Sequence, residues 1–117
     1  MVNIYRTILL VFMVMTSAYA YADIIGIVQK VVDGDTIHLT DDNGKLHKVR
    51  LLGIDAPEMD QSFGFESREM LVNLLEGERV IIDSRKKDRY KRILGKIYLD
   101  DIDVNLTMIS KGLAWHY

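Results

Sequence analysis

The 117 residues predict an α+β fold, mainly β with two helices, built around one five-stranded barrel. Three observations predict it. Short runs rich in Ile and Val recur along the chain and alternate apolar with polar residues, as half-buried strands do. Asp42-Asn43-Gly44 separates two of these runs with the residue types that accept positive φ in a tight hairpin. A single stretch of helical period, Glu66 to Leu75, lies between the third and fourth run.

Taken in order, Ile24 to Val32 reads as the first strand, alternating loosely. Thr36 to Thr40 alternates cleanly, with Ile37 and Leu39 on one face and Thr36, His38 and Thr40 on the other, and Leu46 to Leu52 returns as its hairpin partner. Gly53 to Phe63 reads as a loop. Glu66 to Leu75 then places Met70, Leu71, Leu74 and Leu75 on one helical face, and Gly77 is positioned to end the helix. Arg79 to Asp83 and Ile93 to Leu99 complete the strands, with a basic loop between them. Asp103 can cap a short second helix, Val104 to Lys111, that Gly112 terminates. Five short strands with a helix between the third and fourth follow the order of an OB-type barrel, a fold whose strand face and loops commonly bind oligonucleotides.

The opening segment is expected to be separate from this domain. Arg6 is its only charge, an apolar stretch from Ile8 to Met15 follows, and Ala20 and Ala22 supply small residues for cleavage. Residues 1–22 therefore read as a secretory signal peptide cut after Ala22, which implies a secreted or periplasmic protein. A retained membrane anchor is the alternative, against which the apolar core is shorter than the roughly 20 residues a spanning helix needs. The chain has no cysteine, so an exported domain would have to rest on packing or on a bound ion.

Net charge is −2, which excludes a binder driven by overall positive charge. The distribution says more: six of the eight residues from Arg85 to Arg92 are basic. Charge also gathers at Val32-Asp33-Gly34-Asp35-Thr36, at Arg50, and at Asp55-Ala56-Pro57-Glu58. His38, His47 and His116 show no metal-ligand spacing, so a metal held by the carboxylates Asp35 and Asp55 would be a hard, oxygen-seeking ion such as Ca²⁺ or Mg²⁺. Two guanidinium forks, Arg50 and Arg92, suit a phosphoryl group on which charge builds up, and Glu58 would be free to orient or deprotonate a water. Each piece alone also reads as ordinary structure: a turn at Asp33-Gly34-Asp35, a helix entry at Asp55 to Glu58, a solvated basic loop.

Together the pieces resemble a known family. VVDGDTIHL, KVRLLGIDAPE, DRYKR followed by ILGKIYL, and VNLTMISKGLAW, in that order and spacing, resemble the staphylococcal nuclease (thermonuclease) family across Ile24 to Tyr117. The resemblance implies an OB-fold barrel and a Ca²⁺-dependent endonuclease that cuts DNA and RNA, preferably single-stranded, at the P–O5′ bond to leave 3′-phosphate ends. A nuclease-like module that binds nucleic acid or protein without cutting is the alternative. By motif position, Asp35 and Asp55 match calcium carboxylates and Ala56 a backbone-carbonyl ligand. Arg50 and Arg92 match the phosphate-binding arginines, Glu58 the general base, and Tyr90, flanked by Arg89 and Lys91, a substrate contact. A monomer with no obligate protein partner is implied. Ala56 stands where the archetype has threonine, and Lys91 where the family usually has glycine. The family pattern also continues into a C-terminal helix, so the domain at 23–117 is expected to be incomplete at its C-terminus.

Overall fold

The computed structural model describes residues 23–117; the leader and cleavage site expected at residues 1–22 lie outside the described residues. Ten elements follow one another: β1 (Ile24–Asp33), β2 (Thr36–Asp41), β3 (Leu46–Leu51), β4 (Ile54–Asp55), α1 (Gly64–Leu75), β5 (Arg79–Lys87), β6 (Ile93–Leu99), β7 (Ile102–Asp103), α2 (Val104–Ser110) and β8 (Trp115–His116). β1, β2 and β3 form an antiparallel meander, β5 pairs with β1 and with β6, and a parallel pairing of β3 with β6 closes the ring. This is the five-stranded barrel that the order of elements predicts, with α1 set between its third and fourth strands.

Alternation decides what the barrel encloses. Ile37, Leu39, Val49, Leu51, Ile82 and Ile97 turn inward and are fully buried, while their neighbours along each strand face out. β1 alternates loosely for a local reason: between Val28 and Lys30 its register against β2 shifts, so Gln29 is an extra residue and both Val28 and Val31 point inward. α1 buries Gly64, Ser67, Leu71 and Leu75, spaced three or four residues apart, so one stripe meets the barrel. α2 is capped by Asp103, whose Oδ1 accepts the Leu106 N–H at 3.0 Å, and it buries Val104, Asn105 and Met108. No helix among the described residues is long and apolar enough to cross a membrane.

Two sequence expectations are corrected. The basic stretch is not all loop, because β5 runs on to Lys87 and pairs Lys86 with Leu94 and Lys87 with Ile93. A register shift between Ser84 and Lys86 leaves Arg85 without a partner residue across the ladder. The Gly53 to Phe63 segment is not all loop either. Ile54 and Asp55 pair with His116 and Trp115, and the Tyr117 N–H donates to the Gly53 carbonyl at 3.2 Å. A two-residue strand leaves no period to read, so β4 and β8 have no signature of their own.

Candidate active site

Two loops meet at the end of the barrel where β3 finishes, and a third, between β5 and β6, lies alongside β3. The first is the turn between β1 and β2, where the Asp35 N–H donates to Asp33 Oδ1 at 3.1 Å and closes an Asx turn. Gly34 is needed for its smallness. A Cβ on it would come within 1.8 Å of Ser67 Oγ and 2.9 Å of Ala56 Cβ, so only a bare backbone lets the turn pack between α1 and the β4 segment.

Asp35 is buried at this junction. Its Oδ2 accepts the Ala56 N–H at 2.8 Å, and its Oδ1 accepts the Thr36 hydroxyl at 3.0 Å. Burial pushes its carboxyl above the ordinary value, and the neighbouring Asp33 carboxyl raises it further. The Ala56 N–H and the Arg50 guanidinium pull the other way without prevailing. The site thus holds a desolvated carboxylate with too little positive charge around it.

Arg50 lies across the centre, where β3 ends. Its Nη1 donates to the carbonyls of Leu51 (3.0 Å) and Ile54 (2.8 Å), which fixes the side chain to the bend that follows β3. Its Nη2 lies 3.1 Å from Asp55 Oδ1 and 3.3 Å from Asp35 Oδ2. Asp35 and Asp55, twenty residues apart in sequence, therefore converge on one nitrogen atom. Asp55 is mostly exposed where Asp35 is not, so one carboxylate is built into the fold and the other faces incoming solute.

Glu58 lies three residues beyond Asp55 and is exposed. Its N–H donates to Gln61 Oε1 at 2.8 Å, and its carbonyl passes so close to Gly64 that a Cβ there would come within 2.0 Å. The backbone that carries the carboxylate is held while the carboxylate itself projects into solvent.

The third loop, Asp88 to Arg92, joins β5 to β6, and Asp88 organises it. Asp88 Oδ1 accepts the N–H groups of Tyr90 (2.9 Å) and Arg92 (3.0 Å), and Oδ2 accepts Arg92 Nε at 2.8 Å. Partial burial works to raise the Asp88 carboxyl, but the Arg92 and Tyr90 N–H groups and the Arg92 guanidinium outweigh it and hold it below the ordinary value. Both Arg89 and Arg92 stack over the Tyr90 ring, at 4.9 and 5.4 Å from its centroid. Lys91 adopts φ 62°, in the left-handed region, as a residue standing in a glycine position would.

The structure thus joins Arg50, Asp35, Asp55 and Ala56 by direct contacts and gathers Tyr90, Arg89, Lys91 and Arg92 on an adjacent loop. Arg92 is tied to Asp88 and not to the carboxylates around Arg50. Sequence reasoning named Asp33 and Asp88 only as members of charged segments, without a role, and passed over Ser67. Asp88 could have been found from its spacing, because an aspartate four residues before an arginine can bond the arginine's side chain and the intervening N–H groups together. Ser67, whose Oγ donates to the Leu113 carbonyl at 2.7 Å, has no local signal.

The comparison that decides the family covers most of the site. The family model described as staphylococcal nuclease homologue matches residues 48–117. The chain belongs to the staphylococcal nuclease family. Its relatives in that family include an uncharacterized endonuclease of Escherichia coli, 44% identical over 97 residues, covering 82% of this chain and 63% of the relative. An uncharacterized endonuclease of Haemophilus influenzae is 37% identical over 95% of this chain and 62% of its own length. A micrococcal nuclease of Shigella flexneri is 34% identical over 96% and 69%. The chain spans about three fifths of the length of the first two of these nuclease-family relatives.

Proposed function

We propose that this protein is a calcium-dependent endonuclease that hydrolyses phosphodiester bonds of DNA and RNA, preferring single strands and leaving 3′-phosphate ends. The observation that carries the reading is the convergence of Asp35 and Asp55 on Arg50 Nη2, beside a loop that presents Arg92 and Tyr90. Such a site suits a phosphoryl group, which needs forked donors and a cation at the same place.

The donor set suits calcium. Asp35, Asp55 and the Ala56 carbonyl offer oxygen alone, and the raised Asp35 carboxyl is one that a cation would return to its charged form. Among the described residues no group of three or more acidic, histidine or cysteine side chains forms a closed cage, so binding should be weak until substrate adds phosphate oxygens. A bound calcium ion would supply Lewis-acid neutralisation of the phosphate charge. Arg50 and Arg92 would bind the phosphoryl oxygens as charge accumulates on them, and Glu58 would take a proton from the attacking water. As the new P–O bond forms, the bond to O5′ breaks and the departing oxygen is protonated from solvent. Tyr90, Arg89 and Lys91 would hold the sugar-phosphate chain, and contacts of that kind carry little base preference.

Export after removal of residues 1–22, and action as a monomer, complete the proposal. The test is hydrolysis of denatured DNA by the full chain with calcium or with a chelator, beside a Glu58→Gln control. Cutting that needs calcium and falls steeply in the control is the expected result. A folded, calcium-loaded protein that leaves DNA intact would overturn it.

A further inference from the structure

The outer face of the first three strands carries a feature that the site does not use. Lys30 of β1 stands directly opposite His38 of β2, and His38 directly opposite Lys48 of β3. Directly opposed residues share a face, so the three form a basic row across the sheet. Lys30 and Lys48 are exposed and His38 is half-buried, while Ile37, Leu39 and Val49 beside them point inward. The neighbouring row, one pleat or about 6.8 Å away, pairs Asp33 with Thr36 and Thr36 with Arg50, and so ends in the candidate site.

Lys48 also borders the β5–β6 loop. It lines a groove of about 330 Å³ with Lys45, Lys87, Lys91, His47 and Tyr90, which joins the row to the loop that holds Arg92. Lys30 and Lys48 set positive charge on both sides of His38. His38 is held below its ordinary value first by burial and then by Lys48 and Lys30. Thr36 and Thr40, the outer neighbours of His38 on β2, carry no charge.

We propose that Lys30, His38 and Lys48 form a second binding site for nucleic acid, where the sugar-phosphate chain of a single strand continues beyond the cleavage site across β3, β2 and β1. The occupant is polyanionic and extended, since the groove at Tyr90 and Lys91 leads to Lys48 and the row carries the path onward. The proposal rests on the nuclease reading for the position of the scissile phosphate, and not for the row itself.

The test uses the full chain with a 12-nucleotide single strand in chelator, so that binding is measured without cutting. The Lys30→Gln/Lys48→Gln double variant should weaken binding roughly ten- to hundredfold at 50 mM salt and flatten the slope of log K against log salt by about 1.4. Lys111→Gln, at the exposed end of α2, controls for general charge. Nuclear magnetic resonance of His38 gives an independent readout: the 12-mer should raise its pKa, because phosphates cancel the field of Lys30 and Lys48, while a dinucleotide should leave it in place. Unchanged affinity and slope in the double variant, or a His38 titration indifferent to the 12-mer, would overturn the second site even if the protein cuts DNA. A 12-mer bound through the row but never cut with calcium present would support the second site and sink the nuclease reading instead.

Discussion

At the scale of single residues, two positions separate conformation from chemistry. Lys91 occupies φ 62°, where an L side chain costs about 1 kcal/mol relative to glycine. Lys91→Gly should therefore raise unfolding free energy by about 1 kcal/mol, seen as a higher urea midpoint at unchanged slope. Glu58 offers the opposite case, since its carboxylate is exposed and its loop is held by backbone contacts. Glu58→Gln should leave the urea midpoint in place and lower kcat by about 10²- to 10⁴-fold. Unchanged kcat in that variant would remove Glu58 from the role of base.

At the scale of elements, the site depends on how segments are joined. Asn105 of α2 is buried, accepts the Ile97 N–H at 3.1 Å and donates to the carbonyls of Leu52 (2.9 Å) and Gly95 (3.2 Å). It fastens the helix to β6 and to the bend that orients Arg50. Asn105→Leu would take the partner from the Ile97 N–H and from the Leu52 carbonyl, while the Gly95 carbonyl keeps the Leu52 N–H, and should cost about 2 to 4 kcal/mol in a urea titration. The β5–β6 loop depends in the same way on Asp88. Because its folded pKa lies below the ordinary 3.8, its contribution is present above that value and is lost as pH falls through the folded value. Asp88→Asn should accordingly speed hydrogen exchange at the Tyr90 and Arg92 amides at neutral pH, with little difference from the parent once the carboxyl is protonated. Exchange rates that match at every pH would remove Asp88 as organiser of the loop.

At the scale of the whole molecule, the barrel stabilises a carboxylate that on its own opposes folding. The Asp35 pKa is raised above 3.8, so its stability contribution is fully present below that value and is lost as pH rises through the raised value. Without calcium at pH 7, Asp35→Asn should thus be as stable as the parent or more so. Calcium at ten times its dissociation constant should add about 1.4 kcal/mol to the parent and nothing to the variant, which thermal unfolding with and without the ion would measure. The sequence by itself determined the barrel strands and both helices, because each has a period, and Asp42-Asn43-Gly44, Gly77, Asp103 and Gly112 mark turns and helix ends. It also determined which side chains could serve a phosphoryl site, since side-chain chemistry needs no coordinates. Only the tertiary structure decided that Asp35 and Asp55 meet on one arginine nitrogen and that Trp115 and His116 pair beside Asp55. Those contacts join residues through the register of β2 against β3 and by two-residue strands, and neither leaves a pattern along the chain. The Lys30, His38 and Lys48 row was hidden for a related reason: its members belong to three strands, and the register that aligns them is set by the hairpin and by an extra residue in β1.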